Sequence, residues 1–166
     1  MMKALIVYFT RSGNTETVAH TIAKETGADT FHLRPAFSYS YDYEECVEEA
    51  TREYDRHARP LLASVPENMD QYNVVFIGYP IWMGTMPMAM FTFLEETDFS
   101  GKRIIPFCTH GGSGLGHSEQ DIVKLCPEAT VLKGIAIDGQ HAGSSAYKIE
   151  EWLHRLGVET ISHRRV

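Results

Sequence analysis

The sequence predicts an α/β fold in which a five-stranded parallel sheet carries helices on both faces. Unbroken apolar runs of strand length recur along the chain, as expected for strands that are buried on both faces. Helical patterns separate these runs, and strands that alternate with helices form parallel sheets through right-handed crossovers. The 166 residues contain no repeat, low-complexity tract or linker, so we expect a single domain covering residues 1–166.

The composition is that of an ordinary globular protein, with 43% hydrophobic and 22% charged residues. A net charge of -7 disfavours nucleic acid and anionic membranes as partners, and favours docking on proteins with a basic face. No apolar run approaches a transmembrane length or has the flanks of a secretory signal, so we expect a cytoplasmic protein. The cysteines lack the spacing of a disulfide framework or a metal site, and we expect them to be reduced.

The first strand and the first helix enclose a polar loop. An apolar run covers residues 4–9, and residues 18–23 carry apolar side chains at helical spacing before Gly27 ends the helix. The loop between them consists of Thr10, Arg11, Ser12, Gly13, Asn14 and Thr15. Its hydroxyls and the unpaired amides of the helix start can wrap a terminal phosphate. An ordinary Ser, Thr or Asn cap without a ligand would explain the same residues.

The pattern T-x-S-G-N-T after an apolar first strand resembles the FMN phosphate loop of the flavodoxins. It is neither a Walker loop, which would continue with Gly-Lys-Ser/Thr, nor a G-x-G-x-x-G motif. Arg11 departs from the family pattern, because it adds a positive charge to a loop that usually relies on neutral donors. The resemblance therefore predicts a phosphomonoester at the end of a ligand.

The second strand is predicted within residues 28–34, where a weak alternation ends at Pro35. His32 in this strand is expected to be solvated or packed. A helix with a charged outer face follows over residues 43–57. Alternating tyrosines precede or open that helix, and we interpret them as a packed loop over a sheet edge: Tyr39, Tyr41 and Tyr43.

Residues 73–79 form the second strongly apolar run and predict a central strand. The loop after this strand consists of Pro80, Ile81, Trp82, Met83 and Gly84. Open α/β sheets bind ligands at this end of their strands, where Trp82 would suit a stacking wall for a flat heterocycle. A hydrophobic contact that holds the helix over residues 87–97 explains Trp82 equally well. The loop resembles the flavin loop of flavodoxins that carry P-I-W, which implies that all five residues contact the cofactor.

The fourth strand is predicted over residues 103–109, with a bulge expected at Pro106. A glycine-rich loop follows, before a helix that starts near Ser118. Glycines let backbone groups lie against a ligand edge, although a flexible linker has a similar composition. The loop resembles the second flavin loop of the flavodoxins, and the resemblance assigns the polar edge of the ring to Thr109, His110, Gly111 and Gly112.

The fifth strand is predicted within residues 130–137, and a turn at 138–143 leads to the last helix. Trp152 belongs to the buried stripe of that helix and is expected in the core. The tail, residues 158–166, is expected on the surface. With a strand order of 2-1-3-4-5, the loops after the first, third and fourth strands meet at one crevice. This arrangement is the flavodoxin-like three-layer sandwich.

A phosphate loop, an aromatic wall and a polar edge match the three parts of FMN. The resemblance implies an FMN-binding flavodoxin, a low-potential electron-transfer protein that meets redox protein partners and is a monomer or a weak dimer. The flavin would carry the chemistry, so no catalytic residue and no metal ligand is assigned.

The alternative is an FMN-dependent NAD(P)H oxidoreductase of the quinone-reductase type that acts on a small molecule. It would need a proton donor, for which His110 and His141 are the candidates. Exposed loop histidines more often have no catalytic duty. The two functions differ in whether the flavin passes one electron or two. A third hypothesis, a non-redox interaction module, conflicts with three intact cofactor loops.

Overall fold

The computed structural model describes residues 2–161 and confirms the layered α/β fold. The strands are β1 Ala4–Tyr8, β2 Asp29–His32, β3 Val74–Pro80, β4 Arg103–His110, β5 Thr130–Val131 and β6 Ile135–Asp138. The α-helices are α1 Asn14–Thr26, α2 Tyr43–Asp55, α3 Met88–Glu96, α4 Ser118–Leu125 and α5 Ala146–Arg155. Short 3-10 helices cover Met69–Gln71 and Gly139–Ser144. Residues 162–166 of the predicted surface tail lie outside the described residues.

The strands form one parallel sheet in the order β2-β1-β3-β4-β5, with β6 also paired to β4. The predicted order 2-1-3-4-5 is therefore confirmed, but two short strands share the fifth position. The order reverses between β1 and β3, so the loops after these strands leave the sheet on either side of a crevice.

The prediction of a bulge in β4 at Pro106 is wrong. The irregularity lies instead in the neighbouring position of the sheet, which is divided between β5 and β6. β4 keeps one register with β3 through the pair Ile77 and Pro106. On its other side, β5 ends and β6 begins opposite Pro106. Proline has no N–H to donate to an edge strand. Gly134 occupies the gap, where a Cβ atom would stand 2.9 Å from the Pro106 carbonyl oxygen.

The sheet separates two apolar layers, which explains why its strands read as unbroken apolar runs. Leu5 and Val7 of β1 face the layer that contains α3 and α4. Ile6 faces the layer of α1 and α5. Trp152 of α5 is 3% exposed in that layer, and its indole N–H donates to the Lys133 carbonyl at 2.9 Å. The prediction that Trp152 is a core residue is confirmed.

The cysteines pack inside the fold and do not form disulfides. Cys46, Cys108 and Cys126 are all buried with free thiols. Burial raises the pKa of Cys108 to about 12 and that of Cys126 to about 11, so both thiols are protonated at neutral pH. This agrees with the expectation that the cysteines are reduced packing residues.

Candidate functional site

An open cleft of about 320 Å³ lies at the carboxyl ends of the strands and joins the three predicted loops. The first loop contributes Ser12 and Asn14, the second Pro80 and Ile81, and the third Thr109, His110 and Gly111. A fourth loop, after β6, adds Asp138, Gly139 and Gln140. The structure thus brings together residues that are far apart in sequence. It also adds a loop that the sequence analysis described merely as a turn.

The first of these loops leads into the start of α1, which no side chain caps among the described residues. The N-cap is Gly13, with φ of 100°, and it has no side-chain cap hydrogen bond. Instead, the Gly13 amide donates to the Thr10 hydroxyl at 3.1 Å, which holds the loop in a tight turn. The ordinary Ser, Thr or Asn cap is therefore not the arrangement found. The amides of the first helical turn, next to Ser12 and Asn14, are the kind of group that binds an anion.

Thr15 has a different role from the rest of this loop. Its side chain is 1% exposed, and its hydroxyl oxygen lies 2.7 Å from that of Thr109, which is 4% exposed. This hydrogen bond links the first turn of α1 to the end of β4. Thr15 and Thr109 therefore fix the first and third loops relative to each other.

Arg11 turns away from the 320 Å³ cleft. Its guanidinium donates to the Tyr41 carbonyl at 3.1 Å and lies 5.8 Å from the centre of the Tyr43 ring. The positive charge that departs from the family pattern is therefore directed towards the tyrosine-rich segment. This geometry removes Arg11 from the residues that line the cleft, although its backbone remains part of the loop.

The loop after β3 makes a tight turn around Met83 and Gly84. The backbone amides of Trp82 and Thr85 donate to each other's carbonyls at 2.8 and 3.1 Å. Both central residues have positive φ, 51° at Met83 and 77° at Gly84. Positive φ is costly for Met83 and easy for glycine. The turn places Pro80 and Ile81 at the cleft and carries Trp82 to one side.

Trp82 is half-buried and packs edge-on against two other aromatic rings. The ring centres of Phe9 and Tyr39 each lie 5.2 Å from the centre of the Trp82 ring. Such edge contacts stabilise the loop by about 0.5–1.5 kcal/mol each beyond the burial of apolar area. Trp82 thus has a packing role at the margin of the cleft, and a contact with a flavin ring stays a prediction.

The third loop holds the turn after β3 in place. The Gly84 carbonyl accepts a hydrogen bond from the His117 amide at 2.8 Å. A Cβ atom at Gly116 would lie 2.1 Å from that same carbonyl oxygen, so the backbones approach closely. His117 Nδ1 lies 2.9 Å from an Asp121 carboxylate oxygen, which also accepts from the Thr85 hydroxyl. The sequence analysis did not single out these supports, although the spacing of glycines was a signal for Gly116.

The structure separates the two candidate histidines. His110 lines the cleft, and its Nδ1 accepts a hydrogen bond from the Gly112 amide at 2.9 Å. The neutral ring that accepts this bond carries its proton on Nε2. His141 is exposed in the 3-10 helix Gly139–Ser144 and does not line the cleft. The Nε2–H of His110 is thus the better placed of the two to donate a hydrogen bond to a ligand in the cleft.

The loop after β6 packs against the loop after β1. A Cβ atom at Gly139 would stand 2.7 Å from Asn14 Nδ2, so a larger residue here would displace the end of this side chain. Asp138 caps the 3-10 helix by accepting a hydrogen bond from the Gln140 amide at 3.0 Å. The signal available in the sequence was position, since this loop follows the last strand at the same edge of the sheet.

A cluster of titratable groups lies beside α1 near the same edge. The Tyr8 hydroxyl donates to Glu16 at 3.0 Å, and the His32 ring stacks on the Tyr8 ring with centres 4.9 Å apart. Burial and the Glu16 carboxylate raise the pKa of Tyr8 to about 12. Burial and the nearby Arg34 charge hold the pKa of His32 below 6.5. His32 is a packed strand residue, as predicted.

Comparison with known proteins places this architecture in a family. A family model described as Flavodoxin matches residues 3–156. A protein from Bacteroides eggerthii DSM 20697, assigned as a flavoprotein, has 31% sequence identity and a TM-score of 0.83, with coverage of 96% of this chain and 100% of its own. A similar protein from Bacteroides uniformis ATCC 8492, also assigned as a flavoprotein, has 28% identity and a TM-score of 0.82, with coverage of 92% and 98%.

A solved structure with lower sequence identity has a similar fold. The flavoprotein of Lactobacillus acidophilus NCFM, solved in complex with FMN, has 18% identity and a TM-score of 0.72, with coverage of 87% of this chain and 98% of its own. Among curated proteins, no sequence matches this chain. The family match spans nearly the whole length, and the fold, strand order and crevice agree with it. The chain therefore belongs to the flavodoxin family.

Proposed function

We propose that this protein binds FMN in the 320 Å³ cleft and serves as a low-potential electron carrier between redox proteins. The observation that carries the proposal is the uncapped start of α1, which opens beside a glycine-rich loop at the switch point of the sheet. An anion site and a site for a flat polar ring edge are thereby neighbours. The FMN complex of the Lactobacillus relative, which has the same fold, supports FMN as the ligand.

The residues that line the cleft fit the parts of FMN. Ser12, Asn14 and the first amides of α1 offer neutral donors to a phosphate. Gly111 and Gly112 expose backbone groups that suit the uracil-like edge of the ring. Pro80 and Ile81 supply an apolar wall next to the packed Trp82. The remaining predicted contacts, Met83 and Gly84, adjoin this wall through the tight turn.

FMN, when bound, supplies the capacity to accept and pass on electrons singly or in pairs. The protein's part is to hold the ring and keep positive charge away from it. No lysine or arginine lines the cleft within residues 2–161, and Asp138 places a carboxylate there. A negative environment without a cation disfavours additional negative charge on the ring and lowers its reduction potential. This supports a low-potential carrier.

Redox proteins with a basic face are the partners that the charge favours. The outer face of α2 exposes Glu44, Glu45 and Glu48 in a chain of net charge -7. Opposite charges accelerate encounter between partners.

We place the protein in the cytoplasm as a monomer or a weak dimer. Within residues 2–161, no helix combines the length and the apolar character that crossing a membrane requires.

A second candidate function rests on His110. Its Nε2 carries the proton while Nδ1 accepts from Gly112, and the ring lines the cleft. In an FMN-dependent oxidoreductase that reduces a small molecule such as a quinone, this Nε2–H would donate a hydrogen bond to the substrate oxygen as negative charge develops on it, and solvent would supply the proton. If this function holds, His110→Gln slows substrate reduction by the protein when it is saturated with FMN. His141→Gln, outside the cleft, is the matched control.

The direct test of cofactor binding compares FMN with riboflavin, which lacks the phosphate. Flavin fluorescence is followed while each compound is titrated with the flavin-free protein. We expect FMN to bind at least about tenfold more tightly than riboflavin, because charge-assisted hydrogen bonds to a phosphate contribute roughly 1.5–3 kcal/mol. Equal affinities would contradict the phosphate site at α1. No binding of FMN would overturn the proposal as a whole.

A further inference from the structure

A second cleft, of about 390 Å³, opens on the other side of the loop that follows β1. Its walls come from that loop, from the end of β2 and from the tyrosine-rich segment. The lining residues include Phe9, Arg11, Leu33, Arg34, Pro35 and Tyr39. None of them lines the 320 Å³ cleft. The proposed cofactor site therefore does not account for this cavity.

The rim of the second cleft is positive although the protein is acidic. Arg11 and Arg34 line it, and no aspartate or glutamate does so among the described residues. The Arg34 guanidinium is exposed and makes no hydrogen bond or ion pair within residues 2–161. Burial and the Arg34 charge together lower the pKa of the neighbouring His32. An unpaired guanidinium beside a cavity is a ready partner for a carboxylate.

The floor of the second cleft is apolar. Phe9 and Leu33 are 3% and 0% exposed, and Pro35 and the half-buried Tyr39 adjoin them. The Tyr39 hydroxyl donates to Glu53, and the Ser40 hydroxyl donates to Glu45 at 2.7 Å. These two hydroxyls are already engaged, so recognition of a ligand falls to the arginines above and to the apolar floor below.

We infer that the 390 Å³ cleft binds a planar organic anion, an aromatic ring that bears a carboxylate. The ring would lie against Pro35 and Tyr39, above the buried Phe9 and Leu33, and its carboxylate would pair with Arg34 and Arg11. The volume lies within the range of small-molecule sites, which combine apolar walls with a few polar groups. Tyr39 also contacts Trp82 edge-on, so an occupant of this cleft touches the aromatic cluster at the margin of the cofactor cleft.

Benzoate and its neutral counterpart benzamide are the probes that test this inference. The full chain, labelled with ¹⁵N, is titrated with each compound, and the backbone amide signals are followed by NMR. We expect benzoate to bind in the millimolar range and to shift the amides of residues 33–41. Benzamide should bind about tenfold more weakly, because it lacks the charge that the arginines recognise. Equal binding of the two compounds would overturn the inference.

The variant Arg34→Gln removes this guanidinium without breaking a hydrogen bond or an ion pair within the described residues. Arg103→Gln is the matched control, because Arg103 is exposed at the opposite end of the sheet and carries the same charge. We expect Arg34→Gln to weaken benzoate binding about tenfold and Arg103→Gln to leave it unchanged. Equal effects of both variants, or no binding at all, would refute the site.

The test separates this inference from the proposed cofactor site. Benzoate is titrated both before and after FMN is added, and the shifted amides are compared. Shifts at residues 33–41 that persist with FMN support a distinct site. Shifts at residues 12–14 and 109–112 that FMN abolishes would show that benzoate occupies the cofactor cleft, which contradicts the inference. A protein that takes up no FMN would still report on the second cleft through Arg34.

Discussion

The hydroxyl oxygens of Thr15 and Thr109 lie 2.7 Å apart in the interior, where they join the first turn of α1 to the end of β4. Two of the three predicted cofactor loops thus meet through one buried hydrogen bond. The bond connects residues that are 94 positions apart in the sequence. This contact therefore holds two of the loops that line the cleft in a fixed relative position.

Loss of one of these hydroxyls should destabilise the fold. Thr15→Val keeps the shape of the side chain but leaves the Thr109 hydroxyl buried without its partner, which costs about 1–3 kcal/mol. Removal of both hydroxyls in Thr15→Val/Thr109→Val should recover much of this loss, because no polar group is then left unpaired. Urea unfolding measures both effects. A double variant as unstable as the sum of the single variants would contradict this interpretation.

A side chain at Gly116, which lies close to the Gly84 backbone, should destabilise the fold more than a side chain at a glycine that has only a positive φ. Gly114 and Gly116 have φ of 70° and 56°, but a Cβ atom meets the Gly84 carbonyl only at position 116. Gly114→Ala should cost about 1–2 kcal/mol of strain. Gly116→Ala should cost about 3 kcal/mol or more, because it also forces two backbones apart. Thermal unfolding compares the two; equal losses would show that the contact with Gly84 contributes nothing.

The fourth loop should influence cofactor affinity through Asn14. In Gly139→Ala the new methyl group displaces the Asn14 side chain, from which it would be 2.7 Å distant. We expect FMN affinity to fall about tenfold, the value of roughly one hydrogen bond. Gly143→Ala, in the same 3-10 helix but with open space around its Cβ atom, should leave FMN affinity unchanged. Unaltered affinity in Gly139→Ala would remove Asn14 from the phosphate site.

The ionisation of His32 should respond to two neighbours in opposite directions. Its pKa lies below 6.5 because of burial and Arg34, while Glu16 acts to raise it. Arg34→Gln should therefore raise the pKa and Glu16→Gln should lower it, as measured by NMR titration of the imidazole signals. Because the pKa is depressed in the folded state, His32 contributes stability above pH 6.5 that is lost as the pH falls through the folded pKa. An unchanged pKa in Arg34→Gln would contradict this account.

Much of the fold could be predicted because apolar runs and helical spacing are local signals. The alternation of strands and helices predicted a parallel sheet, and the strand order 2-1-3-4-5 expected of a flavodoxin-like fold is confirmed. The division of the fifth strand was not predicted, since it depends on what Pro106 presents to the neighbouring strand. Pro106 lacks the N–H that a neighbouring strand would accept from. The sequence of residues 103–109 does not reveal on which side of β4 that neighbouring strand lies.

The candidate site could be predicted as a set of loops but not as a set of side-chain directions. Position at the carboxyl ends of strands was enough to bring Ser12, Ile81 and His110 to one cleft. Arg11 points to the other cleft because its guanidinium binds the Tyr41 carbonyl, a contact across 30 residues. The same limit applies to Trp82, whose packing depends on Phe9 and Tyr39 from two distant segments.

The most direct test of the central proposal is an anaerobic reduction of the FMN-loaded protein in steps, followed by its visible spectrum. A one-electron carrier that holds the flavin in a cleft without a cation should accumulate the neutral one-electron-reduced flavin, seen as new absorption at long wavelength, before full reduction. Direct conversion from the oxidised to the fully reduced spectrum, without that absorption, would contradict the electron-carrier account and favour the two-electron oxidoreductase.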